Sequence, residues 1–137
     1  MTSTPAPEDV VLARAHGAAN VFGGLWPLLH LRSFEAVLGP KHDRWLVRTV
    51  AGLLVANGWT QLRTPRSPDG VAQARRIGIG TATVLGAIDL RYALPGRISR
   101  VYLLDAALEA GWVAAWLRSE RRTGVAGGRR TRARRTS

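Results

Sequence analysis

Ile77-Gly-Ile-Gly-Thr-Ala-Thr-Val-Leu-Gly-Ala-Ile88 is the stretch on which the fold turns. It carries no charged residue, and apolar or small side chains fall on every face of a helix drawn through it. A helix that meets water on one side keeps a polar stripe there. Val50 to Ala56 repeats the pattern, again without a charge. Working outward, four apolar stretches stand apart from short polar links: residues 10–31, 45–62, 77–94 and 98–117. A helix needs about 17–25 residues to cross the hydrocarbon core of a bilayer, and each stretch has that length. Leu94-Pro95-Gly96-Arg97 is a turn that sets the last two stretches antiparallel.

This reading predicts an all-α fold of four transmembrane helices, with a short helix over 33–38 lying on the outer surface between the first two. It divides the chain into a polar extension (1–9), a transmembrane domain (10–117) and a disordered Arg-rich tail (118–137). The tail holds eight Arg and one Glu, so the first 117 residues carry 12 basic and 8 acidic residues. Most of the formal +11 therefore belongs to the tail. Arg63, Arg66, Arg75 and Arg76 face only Asp69 in the second link. The positive-inside rule places that link, the tail and hence both termini in the cytoplasm. The competing fold is a water-exposed four-helix bundle, which the charge-free runs disfavour.

The absence of Cys excludes disulfides and thiolate chemistry. Met1–Asp9 has two acids and no basic n-region, so it does not read as a cleavable signal peptide. His16, His30 and His42 lack ligand spacing, so neither a metal nor a cofactor is expected. No Ser, Thr or Lys falls in a nucleophile motif, and whether the chain is an enzyme stays open.

The last stretch carries the sharpest chemical signal. Tyr102, Asp105, Glu109, Trp112 and Trp116 recur at helical spacing and form one stripe. An acid at mid-membrane costs roughly 2.5–3.5 kcal/mol, which the neighbouring Leu and Val do not offset. The stripe is therefore expected to face the interior, with the acids paired, hydrated or protonated. Asp89, late in the third stretch, falls at a similar level. Asn20 and Asn57 are interior polar candidates from the first two stretches. Small residues at i, i+4 and i+8, such as Gly78, Ala82 and Gly86, suit close helix packing. So do Gly52 with Ala56, and Ala107, Gly111 and Ala115.

Phe34-Glu35 followed by Gly39-Pro40-Lys41-His-Asp43-Arg-Trp45-Leu-Val-Arg48 resembles a pattern in small bacterial four-helix membrane proteins of uncharacterised function. Gly24-Leu-Trp-Pro27 and Tyr102-x-x-Asp-Ala-x-x-Glu109 extend the resemblance over residues 15 to 117. It implies the bacterial inner membrane and makes Glu35, Asp43 and Arg48 site candidates beside Asp89, Tyr102, Asp105, Glu109 and Trp112. His42 departs from that pattern.

Three readings of function follow. The first is a membrane protein with a polar small-molecule or lipid pocket in the outer half of the bundle. The second is a non-enzymatic scaffold or subunit of a membrane complex, paired with a second copy or a partner protein. The third, a basic helical binder of nucleic acid, ranks below both, because the tail serves equally as a topology signal.

Overall fold

The computed structural model describes residues 4–135, with side chains described through Arg122. The Arg-rich tail beyond Arg122 lies outside the described side chains. Five helices follow in order: α1 (Pro7–Leu29), α2 (Leu31–Leu38), α3 (Arg44–Leu62), α4 (Pro68–Ala93) and α5 (Tyr102–Arg135). The all-α class holds.

The four membrane crossings do not. Among the described residues, no helix is long and apolar enough to cross a membrane. The expected orientation, the inner-membrane location, the outer interfacial placement of α2 and the lipid and membrane partners all rested on those crossings, and they are withdrawn with them. The physical reason lies in the interruptions. Arg14 breaks the first stretch, Arg48 the second, Asp89 and Arg91 the third, and Arg100, Asp105 and Glu109 the fourth. Gly, Thr, Asn and Trp between them return little transfer free energy, so length alone overstated the case for lipid.

The helices pair as two hairpins. α1 packs mainly on α3, and α4 mainly on α5. α1 and α3 approach at backbone distance: a Cβ on Gly58 would lie 2.6 Å from the Gly17 carbonyl oxygen, and one on Gly17 equally close to that of Gly58. Gly24 meets the Ala51 carbonyl in the same way. On α4 the expected seam is buried at Gly78, Ala82 and Gly86. Gly52 and Gly111 do not belong to seams, because a Cβ on either would meet nothing within 4 Å.

A polar corner joins α1 to α2. Ser33 N–H donates to His30 Nδ1 (3.3 Å), and Trp26 Nε1 donates to Ser33 Oγ (2.8 Å). Gly39, at φ +87°, ends α2 in a conformation that disfavours a side chain. The α2–α3 loop is braced by Glu35, which accepts from Lys41 N (3.2 Å) and from Arg44 Nε and Nη2 (3.1 and 3.0 Å). Asp43 precedes α3, its carbonyl accepting from Leu46 and Val47. At the start of α4, Ser67 Oγ accepts from Gly70 N (3.1 Å), satisfying one free donor of the first turn.

Candidate functional site

A column of polar side chains runs inside the bundle, with the core around Val10, Ala13, Val71, Ala74 and Trp116 at one end. Ser119 Oγ donates to Asp9 Oδ1 (2.5 Å), joining α5 to the start of α1. One turn further in, Trp116 Nε1 donates to His16 Nδ1 (3.1 Å), and both residues are fully buried. Acceptance at Nδ1 leaves the single proton of a neutral imidazole on Nε2. Burial holds His16 neutral by lowering its pKa to about 4. The Trp112 ring stacks on the imidazole at 4.5 Å, with planes 7° apart. Gly78 makes room for this group. A Cβ there would lie 2.5 Å from Trp116 Nε1, 2.8 Å from Gln61 Nε2 and 2.9 Å from His16 Nδ1.

Gln61 ties the hairpins together. Its Oε1 accepts from Asn20 Nδ2 (2.9 Å), and its Nε2 donates to the Ala74 carbonyl (3.3 Å). Asn57 Nδ2 donates to Thr81 Oγ1 (3.3 Å), a second link from α3 to α4. Asn20 and Asn57 thus serve separate contacts rather than one shared site.

Further along, α4 and α5 bring Asp89, Asp105 and Glu109 together. The Asp89 and Asp105 carboxyls lie within hydrogen-bond reach of each other, a contact that needs a shared proton. Asp89 and Glu109 are buried, and Asp89 Oδ2 and Glu109 Oε2 have no hydrogen-bond partner. Burial and the neighbouring Asp105 charge raise both, each to about 7. Tyr102 closes the cluster, its phenol pushed up to about 12 by burial and by Asp89 and Asp105. The Lys41 ammonium lies 4.8 Å from the Tyr102 ring centroid. Burial lowers the Lys41 pKa, partly countered by Glu35. Among the described residues no cation forms an ion pair with any of the three acids. No group of His, Cys, Asp and Glu there could hold a metal ion.

The structure therefore gathers Asp89, Tyr102, Asp105 and Glu109, with Trp112 one turn beyond. It leaves Glu35, Asp43 and Arg48 outside this cluster. Glu35 is committed to Arg44 and Lys41. Arg48 is exposed on α3. Asp43 lines an open surface cleft of about 540 Å³ with Lys41, His42 and Arg97. That cleft and an apolar one of about 520 Å³ between Phe22 and His30 are surface features, not the expected pocket within the outer half of a membrane bundle. Asp9 and Gln61 carry no sequence signal of their own, because each sits at a helix end where polar residues are ordinary, and Ser119 is a lone hydroxyl within α5.

No family model, curated protein or solved structure matches the chain. The resemblance built on Phe34–Arg48 and Tyr102–Glu109 is therefore withdrawn. Short motifs of Gly, Pro, Trp and acids recur at turns and helix ends for local reasons, and here Glu35 and Asp43 are explained by the loop they brace and precede.

Proposed function

We propose that this chain is an interaction subunit: a helical bundle that docks onto a partner protein through its apolar outer surface. The observation that carries this reading is a girdle of exposed large hydrophobics on all four long helices. Phe22, Leu25 and Leu29 form a stripe on α1, and Leu46, Val50 and Leu53 one on α3. Val84 and Ile88 continue it on α4, and Leu104 and Leu108 on α5. Leu104 is 73% exposed and Leu29 78%. Scattered single exposures are ordinary, whereas contiguous patches beyond a few hundred Å² mark interaction surfaces. The girdle is rimmed by cations: Arg44, Arg97 and Arg100 toward one end, Arg63 and Arg118 toward the other. That arrangement suits a partner with apolar helices flanked by acidic residues, and with a formal charge of +11 it disfavours a second copy.

The test is a complex of fixed stoichiometry, isolated without detergent and weighed by native mass spectrometry, followed by Phe22→Ser/Leu53→Ser. The variant is expected to keep its helical circular dichroism and to lose the complex. A wild-type chain that stays a monodisperse monomer at high concentration, or one held in solution only by lipid, overturns the reading.

One observation favours a second reading. Contacts of Arg14 with Thr64, Arg75 with Glu120 and Ser119 with Asp9 bring the α3–α4 link and α5 to one end of the bundle. Arg63, Arg66, Arg76, Arg118 and Arg121 gather there, a footprint suited to a phosphate backbone. Fluorescence anisotropy with a duplex oligonucleotide decides it, since such binding weakens steeply as salt rises.

A further inference from the structure

We propose that Asp89, Asp105 and Glu109 form a proton-dependent latch, which closes the α4–α5 hairpin when protonated and loosens it when the acids ionise. The geometry is a contact between two helices made by carboxyls without a counter-charge. Asp89 comes from α4, and Asp105 and Glu109 from α5 one turn apart. A hydrogen bond between the Asp89 and Asp105 carboxyls needs one proton between them, and their closeness raises Asp89. Glu109 sits against Gly86, where a Cβ on the glycine would lie 3.4 Å from Glu109 Cβ. Asp89 and Glu109 are 5% and 6% exposed, and each keeps one buried oxygen with no partner. Both surface clefts lie elsewhere. A proton is the ligand that fits.

Every element packed on the latch contributes to the balance. α4 supplies Asp89 itself and Arg91, whose guanidinium turns outward over the Tyr92 ring at 5.7 Å. α5 supplies Tyr102 besides the two acids. The α2–α3 loop brings Lys41, which reaches the Tyr102 ring rather than a carboxylate. α1 contributes His16, neutral and committed to Trp116 and Trp112. None of these supplies a positive charge in contact with the carboxyls, so ionisation puts like charges between the two helices. Separation of α4 from α5, with entry of water, is the available relief. The raised positions of Asp89 and Glu109, about 7 each, place the transition near neutrality.

The test is amide hydrogen exchange on the full chain across pH 5 to 8, corrected for intrinsic exchange chemistry, in residues 82–93 and 103–112. Opening is expected to rise about tenfold per pH unit for each carboxyl that loses a proton, and to level off above neutrality. Asp89→Asn/Glu109→Gln, which mimics the protonated pair, is expected to stay closed and remove the pH dependence. Glu109→Gln alone is expected to reduce the slope, and it serves if the double variant does not fold. A wild-type profile flat from pH 5 to 7.5 overturns the latch. So does a double or single variant that keeps the full wild-type slope.

Discussion

Gly52 and Gly58 lie on the same helix, yet adding one methyl group should move stability in opposite directions. At Gly52 the new Cβ meets nothing within 4 Å. Gly52→Ala is therefore expected to stabilise by about 0.5–1 kcal/mol, the cost of leaving glycine inside a helix. At Gly58 the Cβ would lie 2.6 Å from the Gly17 carbonyl oxygen and 2.8 Å from the Val21 amide nitrogen. These are backbone atoms of α1, which no rotamer change can clear. The helices must part, loosening the neighbouring Asn20–Gln61 hydrogen bond. Overpacking costs roughly 1–3 kcal/mol. Set against the same propensity gain, Gly58→Ala should come out destabilised by about 0.5–2 kcal/mol. Urea melts followed by circular dichroism at 222 nm read both variants against wild type. For a chain of this size, about 1 kcal/mol corresponds to a few degrees in Tm, so thermal melts give a second measure. Gly58→Ala as stable as Gly52→Ala would refute the close α1–α3 approach and, with it, the first hairpin.

Other outcomes follow from the buried column. Gln61→Leu removes two hydrogen bonds and strands the Asn20 amide, so a loss of about 2–4 kcal/mol is expected in chemical denaturation. Trp116→Phe leaves His16 Nδ1 without its donor, and a loss of at least about 1–3 kcal/mol should accompany a rise in the His16 pKa, visible by NMR titration. Asp89 and Glu109 keep their protons to about pH 7 when folded and release them near pH 4 when unfolded, so stability falls as pH rises through that window and levels above it. His16 runs the other way: held at about 4 against an unfolded 6.5, it adds stability as pH rises between those values. Two carboxyls against one imidazole leave a decline of about 1.4 kcal/mol per pH unit between roughly pH 4.5 and 6.5, reduced to about half because the half-exposed Asp105 lets water screen the cluster. Denaturant melts at pH 5, 6 and 7 check this, and a stability that increases with pH over that range contradicts it.

The helices were legible in the sequence because their punctuation is strong. Gly39-Pro40 and Pro95-Gly96 mark boundaries, whereas α4 begins at Pro68, nine residues ahead of the apolar stretch at 77; Gly78, Ala82 and Gly86 mark its buried face. The stripe Tyr102, Asp105, Glu109, Trp112 showed which face of α5 turns inward, and Asp89 joined it at the expected level. The four membrane crossings are not there among the described residues. Charge-free runs such as Ile77–Ile88 report locally that no polar face exists, whereas crossing a bilayer is decided by a sum over a whole helix, in which Arg14, Arg48, Asp89 and Glu109 weigh heavily. The grouping of Glu35, Asp43 and Arg48 with the acids failed for a different reason. Their fate depends on the α2–α3 loop, where Arg44 reaches Glu35 across nine residues. The partners of His16 and Gln61 lie on other helices, and helical periodicity within one segment carries no information on them.

The two-hairpin build also sets an order of events during synthesis. α1 and α3 are complete at Leu62, so their glycine contact can close while the second half is still being made. At about 5–20 residues per second, Trp116 follows roughly 3–11 s later. For that interval the His16 ring faces outward without the tryptophan that completes it, although the Ala74 carbonyl that Gln61 meets is made within roughly 0.6–2.4 s. The nascent first hairpin is thus an open half-bundle, and its natural closing surface is the hairpin that emerges after it on the same chain.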